Sequence, residues 1–146
     1  MSTEAIKCVL LADRHHGLTE GMRGLLETEF AAVVMVADEN SLFETATRLH
    51  PSLAVVDLSL ARGDNLRWLC RLRARCPDLK LILLSVHDEP SVCRSVMEAG
   101  ANGFVFKRAI ATDLLPAVDA VLAGGSYVSL AKAVLPSGGQ SEPALP

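Results

Sequence analysis

Apolar residues follow two rhythms along this chain. Short, nearly unbroken runs at Ile6–Ala12, Ala32–Ala37, Leu53–Asp57, Leu79–Ser85 and Gly103–Phe106 alternate with stretches in which apolar residues recur every three or four positions. The first rhythm predicts strands buried on both faces, the second amphipathic helices. Helices are expected over 17–29, with Leu18, Met22, Leu25 and Leu26 on one stripe, and from Ser41 to His50, with Leu42, Phe43, Ala46 and Leu49 inward. Three more are expected over 66–75, from Pro90 to Glu98, and from Thr112 to Leu122. Pro77, Gly100 and the Gly124 and Gly125 pair stop them. Ser41 and Glu44 have the spacing of a capping box, and Asp88 and Pro90 that of a cap with a first-turn proline. Pro116 falls near the start of the last helix and is expected to make its first turn irregular.

Five strand–helix units with short connections and right-handed crossovers make an α/β fold, a doubly wound five-stranded parallel sheet with helices on both faces. Pattern alone leaves the strand order open. Residues 1–130 are expected to form one domain. Residues 131–146, rich in Pro, Gly and Ser, read as a flexible tail or the start of an interdomain linker.

Composition narrows the function. A chain of 146 residues with 50% apolar and 4% aromatic content suits one domain built on buried parallel strands. The formal charge of -3 provides no basic field for nucleic acid. No apolar stretch reaches membrane-span length and no basic-then-apolar leader opens the chain, so a cytoplasmic protein is expected. Cys8, Cys70, Cys76 and Cys93 lack zinc spacing and adjoin apolar segments, which reads as buried free thiols.

The strand ends carry the chemistry. They deliver Asp13, Asp57, Ser85 and Lys107, which gather at one sheet edge if the strands are parallel. A carboxylate placed there can attack phosphorus, and a lysine can neutralise the phosphoryl oxygens. Beside Asp13 stands Arg14, which is permanently charged and only donates hydrogen bonds, so it cannot ligate a metal. It is expected to point inward and pair with Asp57 or Asp13. His15 and His16 read as surface or capping residues. No glycine-rich phosphate loop follows the first strand, which argues against a nucleotide or flavin site. In the 66–75 helix, Leu66, Leu69, Cys70 and Arg73 form the expected core stripe. Trp68 and Leu72 fall to another side, where Trp68 is either an exposed interface anchor or a cover over its own helix.

Val9–His15, Val56–Ser59, Leu84–Pro90, Gly100–Lys107 and Val121–Ser129, in that order and spacing, carry a resemblance. Over roughly residues 5–125 the chain resembles the receiver domain of bacterial two-component response regulators, most of all those of LuxR-type transcriptional regulators. The resemblance implies a flavodoxin-like strand order 2-1-3-4-5. It implies Asp57 as phosphoacceptor, Asp13 as the first of an acidic pair, Ser85 as the hydroxyl that senses the phosphoryl group, and Lys107 as its cationic partner. Phe104 matches the aromatic switch position, and Asp13, Asp57 and the Ser59 carbonyl match the Mg2+ ligands.

Arg14 departs from that pattern by replacing the second acidic residue, Ala61 by replacing a usual proline, Asn65 a usual glycine and His16 a usual proline. The resulting expectation is an atypical receiver, a regulatory interaction module with impaired or absent Mg2+-dependent phosphorylation and no tightly bound cofactor. The alternative is a conventional phosphoacceptor receiver, phosphorylated on Asp57 by a histidine kinase, controlling a LuxR-type DNA-binding output domain absent from this chain. Either way no enzyme activity is implied beyond self-phosphorylation and self-dephosphorylation at Asp57. Implied partners are a histidine kinase or phosphotransfer protein and a weak homodimer, with no nucleic acid or membrane bound by the chain itself. Trp68, Val92, Val96, Met97, Phe106 and Leu115 are the candidate interface residues.

Overall fold

The computed structural model describes residues 7–60, 66–87 and 89–129, with the side chains of residues 16–18 outside that description. The chain runs β1 (Cys8–Ala12), α1 (His16–Leu26), β2 (Ala32–Val36), α2 (Glu39–Leu49), β3 (Leu53–Asp57) and α3 (Arg67–Arg75). It continues through β4 (Lys80–Ser85), α4 (Pro90–Glu98), β5 (Gly103–Phe106), α5 (Ile110–Leu122) and a short β6 (Tyr127–Val128). The parallel sheet has the order β2-β1-β3-β4-β5-β6. The first five strands thus lie as the resemblance implies.

Strand β6 was not legible, because two residues carry no periodicity. Gly124, with φ of 97°, turns the chain after α5. Tyr127 N then donates to Asn102 O at 3.2 Å, and Ser129 N to Phe104 O at 2.8 Å. The Ser129 hydroxyl, buried, accepts from Phe106 N at 3.2 Å and donates to Asp113 Oδ2 at 2.6 Å.

Alternation along the strands splits the core in two. Leu10, Ala54, Val56, Leu81, Leu83 and Phe104 face Leu42, Ala46, Trp68, Leu69, Leu72 and Val96 of α2, α3 and α4. Val9, Leu11, Val55, Ile82, Leu84 and Val105 face Met22 and Leu26 of α1 and Leu114, Val118 and Val121 of α5. Both faces are covered, which is why the strands read as continuous apolar runs.

Local chemistry moves several expected boundaries. Helix α2 opens at Glu39 because Asp38 is the N-cap, accepting from Ser41 N at 2.8 Å. The capping box expected at Ser41 and Glu44 is therefore replaced by a cap three residues earlier. Pro116 sits inside α5, which begins at Ile110. At α4, Pro90 takes the first turn as expected, while Asp88 lies outside the described residues.

Trp68 is no interface anchor. It is 0% exposed, in the core with Leu69 and Leu72, while Cys70 on the expected stripe faces solvent. Helix α3 buries its widest apolar surface, and an indole outweighs a thiol in area removed from water. Leu49, the last residue of α2, also departs from expectation at 46% exposed. Cys8, Cys76 and Cys93 are half-buried rather than fully buried. Val96 and Phe106 belong to the core, which removes them as interface candidates; Val92, Met97 and Leu115 are half-buried. Ala61, Asn65 and the tail beyond Ser129 lie outside the described residues.

Candidate functional site

Strand register assembles the site. Ala12 pairs with Val56 and Asp57 with Leu84, so Asp13 emerges beside Asp57 one step past the end of β1. Ser85 pairs with Phe106, which sets Ser85 and Lys107 at the same edge. The four strand-end residues expected to converge therefore do so. Asp57, Ser85 and Lys107 line, with His15 and His87, a half-open cleft of about 530 Å3, and buried Asp13 touches two of its lining residues, His15 and Lys107.

Asp57 is buried, with its carboxylate held from both sides. Lys107 Nζ lies 3.1 Å from Asp57 Oδ2 and 3.4 Å from Asp13 Oδ2, and its own side chain is only 9% exposed. The Ser59 hydroxyl donates to Asp57 Oδ2 at 2.9 Å and the Ser59 amide to Oδ1 at 3.3 Å. Ser59 thus meets Asp57 through two donors. Ser85 is buried at the cleft wall, its hydroxyl accepting from His87 N at 2.9 Å and donating to His87 O at 3.1 Å. Phe104 is fully buried, edge-on to Phe106 with ring centroids 5.8 Å apart.

Arg14 corrects the inward model. Its guanidinium donates to Leu60 O at 2.8 Å, and among the described residues it makes no ion pair with Asp13 or Asp57. The physical reason is that Lys107 already supplies the buried cation, and a second one would have to be desolvated beside it. The Leu60 carbonyl satisfies the guanidinium while leaving it half-solvated.

The place expected for Arg14 is taken by His15. Its Nδ1 lies 3.0 Å from Asp13 Oδ1, 3.4 Å from Asp57 Oδ2 and 3.1 Å from Lys107 Nζ. The His15 amide also donates to Asp13 Oδ1 at 2.8 Å, which closes a tight turn at the head of α1. Reading His15 as a surface or capping residue captured its half-exposed ring and its position before α1, yet missed its role. The signal was its spacing of two from Asp13 at a strand exit, where a side chain can turn back over the carboxylate.

The resemblance implies Mg2+ here. That ion takes oxygen ligands in a near-ideal octahedron. The side chains that converge are Asp13, His15 and Asp57, two carboxylates and an imidazole, while Arg14 brings no ligand atom. These residues do not fit Mg2+ well.

A family model for the response regulator receiver domain matches residues 9–119. The chain is 34% identical over 128 residues to the transcriptional activator protein ExaE of Pseudomonas putida, covering 82% of this chain and 57% of that protein. It is 30% identical over 122 residues to the transcriptional regulatory protein DegU of Brevibacillus brevis, covering 82% and 52%. It therefore spans about half the length of these relatives. Among solved structures, a LuxR-family response regulator from Aurantimonas sp. SI85-9A1 superposes with a TM-score of 0.75 at 25% identity, covering 84% of this chain and 89% of that one. RcsB from Salmonella enterica serovar Typhimurium, bound to a promoter in the presence of phosphomimetic BeF3-, superposes with a TM-score of 0.70 at 27% identity, covering 82% and 61%.

Proposed function

The chain belongs to the response regulator receiver domains, modules of two-component signal transduction whose chemistry is confined to phosphoryl gain and loss at an aspartate, and from that premise we propose that Asp57 is its phosphoacceptor. One observation carries the reading: Lys107 Nζ lies 3.1 Å from Asp57 Oδ2 at the wall of an open cleft. An Asp57 oxygen attacks the phosphorus of a phosphohistidine on a kinase or phosphotransfer protein. The new O–P bond forms as the P–N bond breaks, and the departing imidazole keeps the electron pair and takes up a proton. Lys107 stands where charge gathers on the equatorial oxygens, and its ammonium stabilises them without reorganising. Hydrolysis by water reverses the modification.

Ser85 and Phe104 carry the state outward in this reading. Ser85 exchanges its bonds to His87 for a phosphoryl oxygen, which pulls the β4–α4 segment toward Asp57. Phe104 lies next to that segment in the core, so repacking there alters the face of α4, β5 and α5. Half-buried Val92, Met97 and Leu115 make that face the proposed place for a weak homodimer. The proposed readout is a LuxR-type DNA-binding domain, as the relatives' names as transcriptional regulators and the promoter-bound RcsB suggest. Among the described residues no helix is long and apolar enough to cross a membrane.

Incubation with a small phosphodonor, read by intact mass, tests this. The expected result is one added phosphoryl group, removed by hydroxylamine and absent from Asp57→Asn. A chain that stays unmodified refutes phosphoacceptance. It supports instead the second reading, a phosphate-independent interaction module, which the His15 imidazole against both carboxylates favours.

A further inference from the structure

We infer that Asp13, His15 and Asp57 form a binding site for a divalent transition ion of the Co2+, Ni2+ or Zn2+ kind, in place of the Mg2+ that receivers ordinarily take. The inference rests on the reading of this cleft as the phosphoacceptor site, and it concerns which cation sits there.

The donor set points to the ion. One atom from each of Asp13, His15 and Asp57 lies within 4.8 Å of the others. Imidazole suits borderline cations such as Zn2+, Ni2+ and Co2+, whereas Mg2+ keeps to carboxylates, carbonyls and water. With Arg14 turned to Leu60 O, position 14 adds no carboxylate to Asp13 and Asp57.

The contacts around Nδ1 point the same way. A lysine ammonium has no acceptor, so the 3.1 Å contact from Lys107 Nζ is a hydrogen bond only if Nδ1 carries a lone pair. That lone pair then faces Asp13 Oδ1 at 3.0 Å and Asp57 Oδ2 at 3.4 Å. Three electron-rich atoms converge, and the Lys107 ammonium reaches two of them, Nδ1 and Asp57 Oδ2, while it meets Asp13 through Oδ2. A dication between Nδ1, Asp13 Oδ1 and Asp57 Oδ2 would take up the imidazole lone pair and both carboxylates, with the Lys107 ammonium moving off Nδ1.

An independent observation is Asp13 Oδ2. It is fully buried and has no hydrogen-bond partner, although Lys107 Nζ stands 3.4 Å away. The Lys107 pair offsets its charge without a hydrogen bond, which leaves a buried acceptor lone pair open to a second cation. The site is also preformed, because the His15 amide bond to Asp13 Oδ1 holds imidazole and carboxylate in one turn. Lys107 is then freed to meet a phosphoryl oxygen.

Titration of the unphosphorylated chain with Co2+ and with Mg2+, followed by calorimetry, tests the site. His15→Ala is expected to weaken Co2+ by about tenfold or more while changing Mg2+ by less than about twofold. His87→Ala, on the same cleft, is expected to leave Co2+ unchanged. Hyperfine-shifted imidazole resonances in the NMR spectrum of the Co2+ form should belong to His15. Asp13→Asn, with circular dichroism confirming the fold, should weaken both ions. Retention of Co2+ affinity in His15→Ala, or shifted resonances that belong to another histidine, overturns the inference. Because these titrations contain no phosphodonor, the two readings fail separately. His15-dependent Co2+ binding without labelling of Asp57 overturns phosphoacceptance alone; labelling with His15-independent Co2+ binding overturns this inference alone.

Discussion

Arg14 and Leu60, 46 residues apart, are joined by a 2.8 Å bond from guanidinium to carbonyl. The residue that removes a carboxylate from the cleft thus ties the β1–α1 turn to the segment after Asp57. Arg14→Asp is expected to act twice. The apo protein should lose about 1–2 kcal/mol, since a charged hydrogen bond goes and a third carboxylate joins Asp13 and Asp57. Mg2+ should return that stability by binding, and should bind more tightly than to the parent chain. Urea denaturation with chelator and with Mg2+ gives both values; identical curves under the two conditions would count against the arrangement.

Lys107 is the cation shared by Asp13 and Asp57, whose side chains are 0% and 3% exposed. Lys107→Ala leaves two buried carboxylates facing each other. The expected loss is about 3 kcal/mol at neutral pH, well beyond a surface ion pair. A chemical denaturation midpoint within error of the parent would show that the pairs are solvated.

Trp68 is the sole tryptophan and fully buried, and its Nε1 has no hydrogen-bond partner. Its fluorescence should be blue-shifted and poorly quenched by acrylamide, moving red on unfolding. Trp68→Ala should cost about 3–5 kcal/mol through the cavity it leaves. Trp68→Phe should cost much less, because no hydrogen bond is lost. Ready quenching in the native state would put the indole at the surface after all.

The amide of Ser41, and then its side chain, hold the Asp38 carboxyl below the ordinary aspartate range. A depressed carboxyl pKa stabilises the fold above the unfolded value, and that contribution is lost as pH falls through the folded one. The α2 cap should therefore be at full strength above about pH 5 and fade in stronger acid. Carboxyl NMR titration of Asp38, compared with Asp38→Ala across pH, checks the sign. An Asp38 midpoint at or above that of a model peptide contradicts the cap.

Burial raises the thiol pKa of Cys8 and of Cys93, whereas Cys70 faces solvent. Near neutral pH a thiol reagent should label Cys70 first and Cys8 and Cys93 slowly, because the thiolate is the reacting form. Cys70→Ser should remove the fast phase. A fast phase that survives the substitution would place another thiol at the surface.

Among the described residues, the alternation of apolar runs with helical periodicity was enough to locate every strand but β6 and every helix to within a few residues, because burial on both faces of a parallel sheet leaves its mark residue by residue. It also placed Asp13, Asp57, Ser85 and Lys107 at strand ends. A strand exit is a local property, and parallel order then carries all four to one edge. Which way Arg14, His15 and Trp68 turn was not local. Arg14 chose between a carboxylate and a carbonyl on a segment 46 positions away, with Lys107 from yet another strand having settled the charge. His15 became part of the cleft because the Asp13 turn bent it back toward Asp57, and a turn's direction depends on what β3 places beside it. Trp68 went inward because the sheet face above α3 was broad enough to take an indole. Periodicity reports that a helix has an apolar side, and competition among neighbours for the same space decides which residue fills it.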